Sequence, residues 1–304
     1  MARVLLTRRI PSSVLTPLQA QHAVDLYSGD GTIPRHELLR RVADKDALIS
    51  VLTDRIDGEL LDAGPALKVV ANIAVGYDNI DLPAARDRGV VITNTPDVLT
   101  EAVAEFTWAL ILAVARRVVE ADRLTRRGGW KGFALDFMLG TELRGKQLGI
   151  IGAGRIGRAV GAKAPAFGMK VAHAKRDMSI DELLVSSDVI SLHVPATPET
   201  RHLINRRTFA RMKRSALLVN TARGSIVDEE ALVWALDERL IAGAALDVYE
   251  NEPNVHPGLA QYENVILSPH LGSATRETRT AMADLAVRNV LAVLNGDEPL
   301  TPVK

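Results

Sequence analysis

The chain contains no cysteine among its 304 residues. This absence excludes a disulfide framework, a thiolate metal site and a catalytic cysteine. The sequence also has no excess of charge of either sign, because 37 Lys and Arg residues balance 37 Asp and Glu residues. Proteins that bind nucleic acid usually carry a basic excess to meet the phosphates, so we expect no nucleic-acid partner.

Long hydrophobic runs are absent as well. The longest apolar stretch extends from Trp108 to Ala115, far short of the ~18 residues that a membrane-spanning helix requires. Arg8 and Arg9 follow a short apolar run near the amino terminus, whereas an export signal needs a longer hydrophobic core. We therefore expect no membrane association and a cytoplasmic protein.

Short apolar runs alternate with helical stretches along the chain, and at roughly 100–200 residues per domain the length favours two domains. The predicted strands are Arg3–Thr7, Ala23–Tyr27, Ala47–Thr53, Val69–Ile73, Val90–Thr93, Gln147–Ile151, Met169–Ala174, Val189–Val194, Ala216–Asn220, Gly243–Asp247 and Val265–Leu267. The predicted helices between and after them are Ile33–Ala43, Pro83–Arg88, Arg155–Phe167, Asp181–Val185, Arg206–Met212, Glu229–Glu238 and Ala274–Leu294. Strands separated by helices pair in parallel, so this pattern predicts an α/β protein with a doubly wound sheet in its second half.

A longer helix is predicted from Glu101 to Arg127, with Thr100 as its candidate N-cap. Its apolar residues recur at three- and four-residue steps and form one continuous face: Val103, Phe106, Leu110, Val114 and Val118. Such a face packs either in the core of the protein or against a second subunit. We expect a homodimer formed through residues 101–140.

The segment Gly152-Ala153-Gly154-Arg155-Ile156-Gly157 follows a predicted strand directly and opens a predicted helix. In this context the three glycines indicate a dinucleotide-binding loop. The first permits a tight turn, the second lets the backbone approach a pyrophosphate, and the third lets the helix pack against the sheet. The N–H groups at the start of the helix then face the phosphates. A plain strand-to-helix turn is the alternative interpretation.

The end of the next strand indicates which dinucleotide is bound. An NAD site usually places an acidic residue there to bind the ribose 2′-hydroxyl. Here Lys175 and Arg176 stand at this position, and Asp177 follows them. Two cations suit the 2′-phosphate of NADP, so we expect NADPH as the preferred cofactor and NADH as a second option. The alternatives are that both cations are solvated, or that Asp177 binds the ribose and the cofactor is NAD.

Three further polar residues follow predicted strands, where open α/β sheets carry their functional groups. Arg223 follows the strand Ala216–Asn220, Glu252 lies after Gly243–Asp247, and His270 comes after Val265–Leu267. Taken singly, each has an ordinary alternative as a solvated or structural residue. Together they supply an anion clamp, a carboxylate and a proton carrier.

These residues lie in segments that resemble the D-isomer-specific 2-hydroxyacid dehydrogenases, and within that family the glyoxylate/hydroxypyruvate reductases are the most similar. The resemblance extends over essentially the whole chain through four segments in the same order: 72–81, 152–157, 220–224 and 269–272. It implies a discontinuous, flavodoxin-like substrate domain formed by residues 1–96 and 281–304. It also implies a Rossmann domain for NAD(P) formed by residues 97–280.

The resemblance further implies an activity, the reduction of small 2-oxo acids by hydride transfer from NAD(P)H. Glyoxylate would give glycolate, and hydroxypyruvate would give D-glycerate. In the family the residue matching His270 is the general acid, the one matching Glu252 pairs with it, and the one matching Arg223 binds the substrate and stabilises the developing alkoxide. The backbone N–H groups of Val75 and Gly76 would bind the substrate carboxylate, although a plain turn is the alternative there.

The same resemblance assigns the cofactor contacts, which include the three glycines and the cations Lys175 and Arg176. Thr100, Arg155 and Ile156 would lie at the phosphates. The remaining contacts would lie along the adenosine (Val194 and Pro195) and near the nicotinamide (Thr221, Ala222 and Asp247), with His270 and Gly272 completing the set. No metal is expected, because the imidazole and the guanidinium already provide the acid and the anion-binding group.

Other functions remain open on the sequence alone. Phosphoglycerate, D-lactate and phosphite dehydrogenases resemble the same frame, and some non-catalytic relatives are NAD-sensing corepressors. Formate dehydrogenases carry Gln where this chain has Glu252, which argues against them. Two departures from the reductases stand out: the stretch between Arg176 and Asp188 is short, and Phe137 replaces a Trp that often reaches the neighbouring subunit's substrate pocket. Phe137 packing at the subunit boundary is the alternative to a role in specificity.

Overall fold

A computed structural model of the chain describes residues 1–174 and 176–303, and it divides into two compact units. The first unit contains Met1–Leu99 together with the chain from Ala274 onwards, and the second contains Thr100–Ser273. The boundary expected at residue 280 lies inside the final helix, Arg276–Asn295. That helix belongs wholly to the first unit because Ala283, Val287 and Val290 are buried in its core.

The first unit is built on a five-stranded parallel sheet with the strand order β2-β1-β3-β4-β5. Its strands are β1 (Arg3–Leu6), β2 (Ala23–Leu26), β3 (Ala47–Ser50), β4 (Val69–Asn72) and β5 (Val91–Thr93). Its helices are α1 (Ser12–Gln19), α2 (Arg35–Val42), α3 (Gly58–Ala63), α4 (Leu82–Asp87) and α11 (Arg276–Asn295). This order is the flavodoxin-like one, as the sequence predicted.

Both faces of the first sheet are covered, because successive side chains of a strand point to opposite faces. Val4 and Leu6 of β1 pack with α1 and α11, whereas Leu5 packs with α2 and α3. The strands are therefore apolar without alternation, as expected for a parallel sheet between two helical layers.

The second unit is built on a six-stranded parallel sheet with the strand order β11-β10-β9-β8-β6-β7. Its strands are β6 (Gln147–Ile151), β7 (Lys170–His173), β8 (Val189–Leu192), β9 (Leu217–Asn220), β10 (Gly243–Leu246) and β11 (Val265–Leu267). Its helices are α5 (Thr100–Ala115), α6 (Val118–Arg126), α7 (Arg155–Lys163), α8 (Ile180–Ser186), α9 (Arg206–Phe209) and α10 (Glu229–Asp237), with 3₁₀ turns at Ala164–Phe167, Gly224–Ile226 and Leu259–Gln261.

The second sheet also has a core on each face. Trp108 and Ile111 of α5 pack with α7 on one face, and Leu232 of α10 packs with α8 and α9 on the other. The strand order reverses between β6 and β8, and in such sheets ligands bind at the carboxyl ends of the two strands that flank the reversal. The prediction of a doubly wound α/β fold is confirmed.

The single helix predicted from Glu101 to Arg127 is wrong, because the chain forms α5 and α6 with a break between them. Arg117 adopts the left-handed conformation with φ of 54°. The carbonyl of Ala115 accepts a hydrogen bond from Thr141 N at 2.7 Å, which ends α5. Val118, expected on the continuous apolar face, is 52% exposed.

Two helices, α1 and α3, have no counterpart in the sequence prediction. Pro17 lies inside α1, and Pro11 at its N-cap position provides no side-chain hydrogen bond, so the usual start signal is missing. α3 has six residues, too few for a helical period to be recognised, and Asp57 caps it by accepting from Leu60 N. Strand β3 also ends at Ser50 rather than Thr53, because Asp54 closes a turn onto Val51.

Across residues 1–174 and 176–303, every helix is too short or too polar to span a lipid bilayer.

Candidate active site

The glycine loop occupies the turn from β6 into α7, at the point where the strand order reverses. Gly152 has φ of +108°, and a Cβ on it would lie 2.4 Å from the carbonyl oxygen of His193. A Cβ on Gly157 would lie 2.0 Å from the carbonyl oxygen of Gly152. Both residues are therefore glycine because of the protein's own packing.

Gly154 differs from the other two glycines. A Cβ on this residue would meet no atom of the described chain within 4 Å. Gly154 is also the N-cap of α7, and it provides no side chain that would fill the space in front of that helix. An open space directly in front of a helix N-terminus suits a pyrophosphate, and the loop therefore fits a dinucleotide.

His270 and Glu252 form a direct pair in the second unit. His270 Nδ1 lies 2.9 Å from Glu252 Oε2, with the two side chains 27% and 24% exposed. Burial opposes the charge of Glu252, but the hydrogen bond with His270 and the charges of His270 and Arg223 hold the pKa of Glu252 below its ordinary value. An ionised carboxylate only accepts hydrogen bonds, so Nδ1 of His270 is the donor and Nε2 is the atom left for a ligand.

The backbone of His270 is fixed by its neighbours. Its φ is +54°, a left-handed conformation that few residues other than glycine adopt. Its N–H donates to the carbonyl of Asp247 at 2.9 Å. The imidazole is therefore held from two sides, through the main chain by Asp247 and through the ring by Glu252.

Asp247 organises the loop that carries His270. The residue is 1% exposed, and its carboxylate accepts from Ser268 Oγ at 2.6 Å, Leu271 N at 2.7 Å and Gly272 N at 2.8 Å. Burial raises the pKa of Asp247, and these hydrogen bonds offset part of that rise. These three hydrogen bonds to the Asp247 carboxylate therefore fix the loop of residues 268–272.

Arg223 lies beside the loop that carries Glu252. The next residue, Gly224, packs directly against that loop and leaves no room for a side chain. A Cβ on Gly224 would lie 1.8 Å from the carbonyl carbon of Tyr249, so the two backbones are in direct contact. Arg223 Nη1 donates to the carbonyl of Ala222 at 2.8 Å, and its own carbonyl accepts from Asn220 Nδ2 at 2.8 Å. Arg223, Glu252 and His270 are thus brought together at the ends of β9, β10 and β11.

Other residues predicted to contact the cofactor also lie at the carboxyl edge of this sheet. Thr221 follows β9 and hydrogen-bonds Thr107 Oγ1 of α5 at 2.9 Å. Val194 and Pro195 follow β8, and the Pro195 carbonyl accepts from Thr200 Oγ1 at 2.6 Å.

The end of β7 carries the residues that were expected to choose between NADP and NAD. Arg176 is exposed, and its Nε lies 3.7 Å from Asp177 Oδ1. Asp177 Oδ2 accepts from His173 N at 2.7 Å, which closes the turn after β7. Lys175, the other predicted cation, lies outside the described residues.

In the first unit, the loop after β4 holds three successive carbonyls in hydrogen bonds. Ala74 O accepts from Thr95 N at 2.8 Å, Val75 O from Asn94 Nδ2 at 2.8 Å, and Gly76 O from Asn72 Nδ2 at 3.1 Å. The N–H groups of Val75 and Gly76 form no hydrogen bond within residues 1–174 and 176–303. Two neighbouring free N–H groups on a fixed loop are suited to bind an anion.

Three of these supporting residues were missed by the sequence analysis: Asn72, Asn94 and Gly224. The two asparagines stand at or just after the ends of β4 and β5, so their position at strand ends was a usable signal. Gly224 gave no such signal, because glycine is required there only by its contact with Tyr249, which lies much later in the sequence. In the same described ranges, no cluster of three or more His, Asp or Glu side chains could hold a metal ion.

Comparison with known proteins places this arrangement in a family. Residues 108–272, more than half of the chain, match the family described as D-isomer specific 2-hydroxyacid dehydrogenase, NAD binding domain. A glyoxylate reductase from Thermococcus kodakarensis is 46% identical over 318 aligned positions, which cover 99% of this chain and 96% of that protein.

Solved structures agree with this match. A crystal structure of a protein from Thermus thermophilus superposes with a TM-score of 0.95 at 47% identity, covering 99% of this chain and 100% of that one. An NADPH-dependent glyoxylate/hydroxypyruvate reductase from Sinorhizobium meliloti, crystallised with NADP and malonate, superposes with a TM-score of 0.87 at 36% identity, covering 99% and 96%. The chain belongs to the D-isomer specific 2-hydroxyacid dehydrogenase family of nicotinamide-dependent enzymes.

Proposed function

We propose that the protein reduces glyoxylate to glycolate and hydroxypyruvate to D-glycerate, with NADPH preferred over NADH. The observation that carries this proposal is the hydrogen-bonded pair of His270 and Glu252 at 2.9 Å, in the unit that also carries the glycine loop. The names of the relatives, glyoxylate reductase and NADPH-dependent glyoxylate/hydroxypyruvate reductase, support the same activity.

The reduction of a 2-oxo acid adds a hydride to the carbonyl carbon and a proton to the carbonyl oxygen. A bound nicotinamide cofactor supplies the hydride. His270 donates the proton from Nε2, and Glu252 stabilises the protonated imidazole because its own lowered pKa keeps it charged. The Arg223 guanidinium binds substrate oxygens with its planar fork and stabilises the negative charge that develops on the oxygen.

The substrate carboxylate is assigned to the first unit. The free N–H groups of Val75 and Gly76 bind it, and Gly76 lets the anion approach the backbone closely. The hydrogen bonds that hold Ala74, Val75 and Gly76 by their carbonyls support this assignment. Small 2-oxo acids need such a site because the carboxylate is their main recognition group.

The preference for NADPH rests on the end of β7. Asp177 already accepts the N–H of His173, so its carboxylate has a structural partner within its own turn. Arg176 is exposed there and follows Lys175, and an exposed arginine suits the bidentate binding of a phosphate. The NADP bound to the Sinorhizobium meliloti relative supports the same preference.

Initial rates on a panel of 2-oxo acids, measured with NADPH and NADH in parallel, test this proposal. We expect the highest kcat/KM for glyoxylate and hydroxypyruvate, and a higher value with NADPH than with NADH. Failure to reduce either acid with either cofactor would disprove the proposed activity. Equal kcat/KM with both cofactors would disprove the preference alone.

We also propose that the protein is a homodimer formed through residues 101–140. No side chain of α6 is buried in the single chain. The segment after α6 exposes several large apolar side chains: Trp130, Phe133, Leu135, Phe137 and Leu139. Such a cluster marks an interaction surface, and Phe137 then packs at the subunit boundary.

Light scattering on a double variant tests the dimer. Phe133→Ser combined with Leu135→Ser, both 86% exposed in the single chain, should shift the mass from dimer to monomer. Val185→Ser changes an exposed apolar residue outside the segment and should leave the mass unchanged. A monomeric unmodified protein would disprove the proposal.

A further inference from the structure

The loop of residues 74–76 is held by parts of the first unit that are distant in sequence. Asn94 Nδ2 donates to Val75 O at 2.8 Å. Asn94 is itself bound by the carboxyl-terminal tail, which we define as residues 296–303 after α11. The Asn94 carbonyl accepts from Thr301 Oγ1 at 2.6 Å, and its N–H donates to Thr301 O at 3.3 Å. The tail therefore contacts the residue that holds the anion-binding loop.

The tail is fixed in turn by the final helix. Asn289 of α11 is fully buried, and its Nδ2 donates to Thr301 Oγ1 at 2.8 Å. Its Oδ1 accepts from Thr301 N at 3.0 Å. Every polar atom of the Asn289 and Thr301 side chains forms a hydrogen bond. Asn289, Thr301 and Asn94 are therefore joined by one continuous series of hydrogen bonds.

The geometry of the peptide bond links these hydrogen bonds to the free N–H groups of Val75 and Gly76. A trans peptide is planar, with its C=O and N–H pointing in opposite directions. The carbonyl of Val75 and the N–H of Gly76 belong to the same peptide, so a donor that fixes Val75 O also fixes the direction of the Gly76 N–H. Thr95 N does the same for the Val75 N–H through Ala74 O.

We infer that Asn94 and Thr301 are positioning residues that aim the Gly76 N–H at the substrate carboxylate, with Thr301 acting through Asn94. This inference rests on the proposed function, since that proposal assigns the carboxylate to this loop. It assigns to the carboxyl-terminal tail a part in substrate affinity and none in hydride or proton transfer.

The chain offers matched variants for a test. Thr301→Val removes the hydroxyl and keeps the shape, whereas Thr301→Ser keeps the hydroxyl. Asn94→Ala removes the donor to Val75 O. Asn264→Ala is the control, because Asn264 Nδ2 also donates to a main-chain carbonyl, that of Ala242, at 2.8 Å in the second unit.

Affinity for oxamate, a non-reducible analogue of glyoxylate, is measured on the NADPH-bound enzyme together with glyoxylate KM and NADPH Kd. Asn94→Ala should raise the oxamate Kd and glyoxylate KM roughly 10- to 100-fold, and Thr301→Val roughly 3- to 10-fold. Thr301→Ser and Asn264→Ala should remain within about twofold of the unmodified protein. NADPH Kd should stay constant throughout, a result that general damage to the fold would not give.

Two results would overturn the inference. One is oxamate binding by Asn94→Ala and Thr301→Val that matches the unmodified protein. The other is a loss of NADPH affinity in parallel with oxamate affinity. Binding of oxamate without turnover of any 2-oxo acid would disprove only the proposed reaction, and the series of oxamate affinities would still decide the inference.

Discussion

The first strand of each unit leads into a helix through loops of different length and composition. In the first unit, five residues (Thr7 to Pro11) connect β1 to α1, and none of them is glycine. In the second unit, three residues (Gly152 to Gly154) connect β6 to α7. Both strands lie at the same place in their sheets, because the orders β2-β1-β3-β4-β5 and β7-β6-β8-β9-β10 are equivalent. Strand order alone therefore does not create a dinucleotide site, and the loop residues decide it.

The two units also differ in the chemistry at their sheet edges. The first holds its loop of residues 74–76 with neutral asparagines and main-chain groups. The second carries the charged set of Arg223, Glu252 and His270. We expect the first unit to determine how tightly a substrate binds, and the second to determine how fast it reacts. Changes in the charged set of the second unit should then lower kcat, and changes at the loop of the first unit should raise KM for the 2-oxo acid.

The largest expected effect comes from His270→Asn. Asparagine tolerates the left-handed backbone of this position but cannot donate the proton, so kcat should fall by ~10²–10⁴-fold. NADPH binding should survive the substitution. His256→Asn is the control, since His256 also pairs with a glutamate, Glu230 at 2.9 Å, and its kcat should match that of the unmodified protein. A kcat within tenfold of normal in His270→Asn would contradict the general-acid assignment.

Glu252→Gln should have a smaller effect, roughly tenfold or more on kcat at neutral pH. The pKa of Glu252 lies below its ordinary value, so its charge persists at neutral and mildly acidic pH and favours protonated His270. Glutamine has no charge at any pH, so the difference in kcat/KM between the variant and the unmodified protein should narrow at acidic pH, where Glu252 itself becomes protonated. A profile of kcat/KM from acidic to neutral pH measures this change.

The control for that variant is Glu250→Gln. Glu250 lies two residues before Glu252 and pairs with His202 rather than with His270. Its profile should match that of the unmodified protein. A difference in kcat/KM that stays constant down to acidic pH would show that the carboxylate only orients the ring.

The combined change Lys175→Ala and Arg176→Ala should raise KM for NADPH roughly 10- to 100-fold and KM for NADH by about threefold at most. The reason is that only NADPH carries a 2′-phosphate for these cations to bind. Arg211→Ala with Arg214→Ala removes two exposed cations elsewhere in the second unit and controls for net charge. Equal changes for both cofactors in the first double variant would favour Asp177 or solvated cations instead.

The smallest effect concerns the stability of the second unit and depends on one of its histidines, His193. Burial lowers the pKa of His193, in the second unit, to about 3. Its unfolded form takes up a proton below about pH 6.5, so its stabilising contribution is complete above that pH and decreases as the pH falls. Between pH 7 and pH 5 the loss is ~2 kcal/mol.

Urea unfolding of His193→Gln measures this contribution. Glutamine does not titrate, so the difference in unfolding free energy between pH 7 and pH 5 should shrink by ~2 kcal/mol. The protection of the second unit against hydrogen exchange should fall more between pH 7 and pH 5 in the unmodified protein than in the variant, because His193 takes up a proton on unfolding and glutamine does not. An identical pH dependence in the variant would contradict the account.

Features that depend on neighbouring residues were predictable from the sequence. The glycine loop is recognised by three residues within one turn, and Arg223, Glu252 and His270 by their places after apolar strands. The charge and spacing of these groups are local properties of the chain. The parallel sheets follow from the same alternation of strands and helices.

Features that depend on distant contacts were not predictable. The break between α5 and α6 arises where Thr141 binds the Ala115 carbonyl, and no residue near Arg117 indicates it. The bond between Thr301 and Asn94 joins residues 207 positions apart. Neither residue lies in a motif or in a periodic pattern, so this contact leaves no local signal in the sequence.

The contact of Gly224 with Tyr249 has a practical consequence for attempts to broaden the range of acids that the enzyme accepts. Because even a methyl group at position 224 would overlap the neighbouring backbone, random libraries that include this codon will consist largely of misassembled variants. Diversity is better introduced elsewhere, with codon 224 held constant so that the guanidinium and the carboxylate keep their spacing in every member.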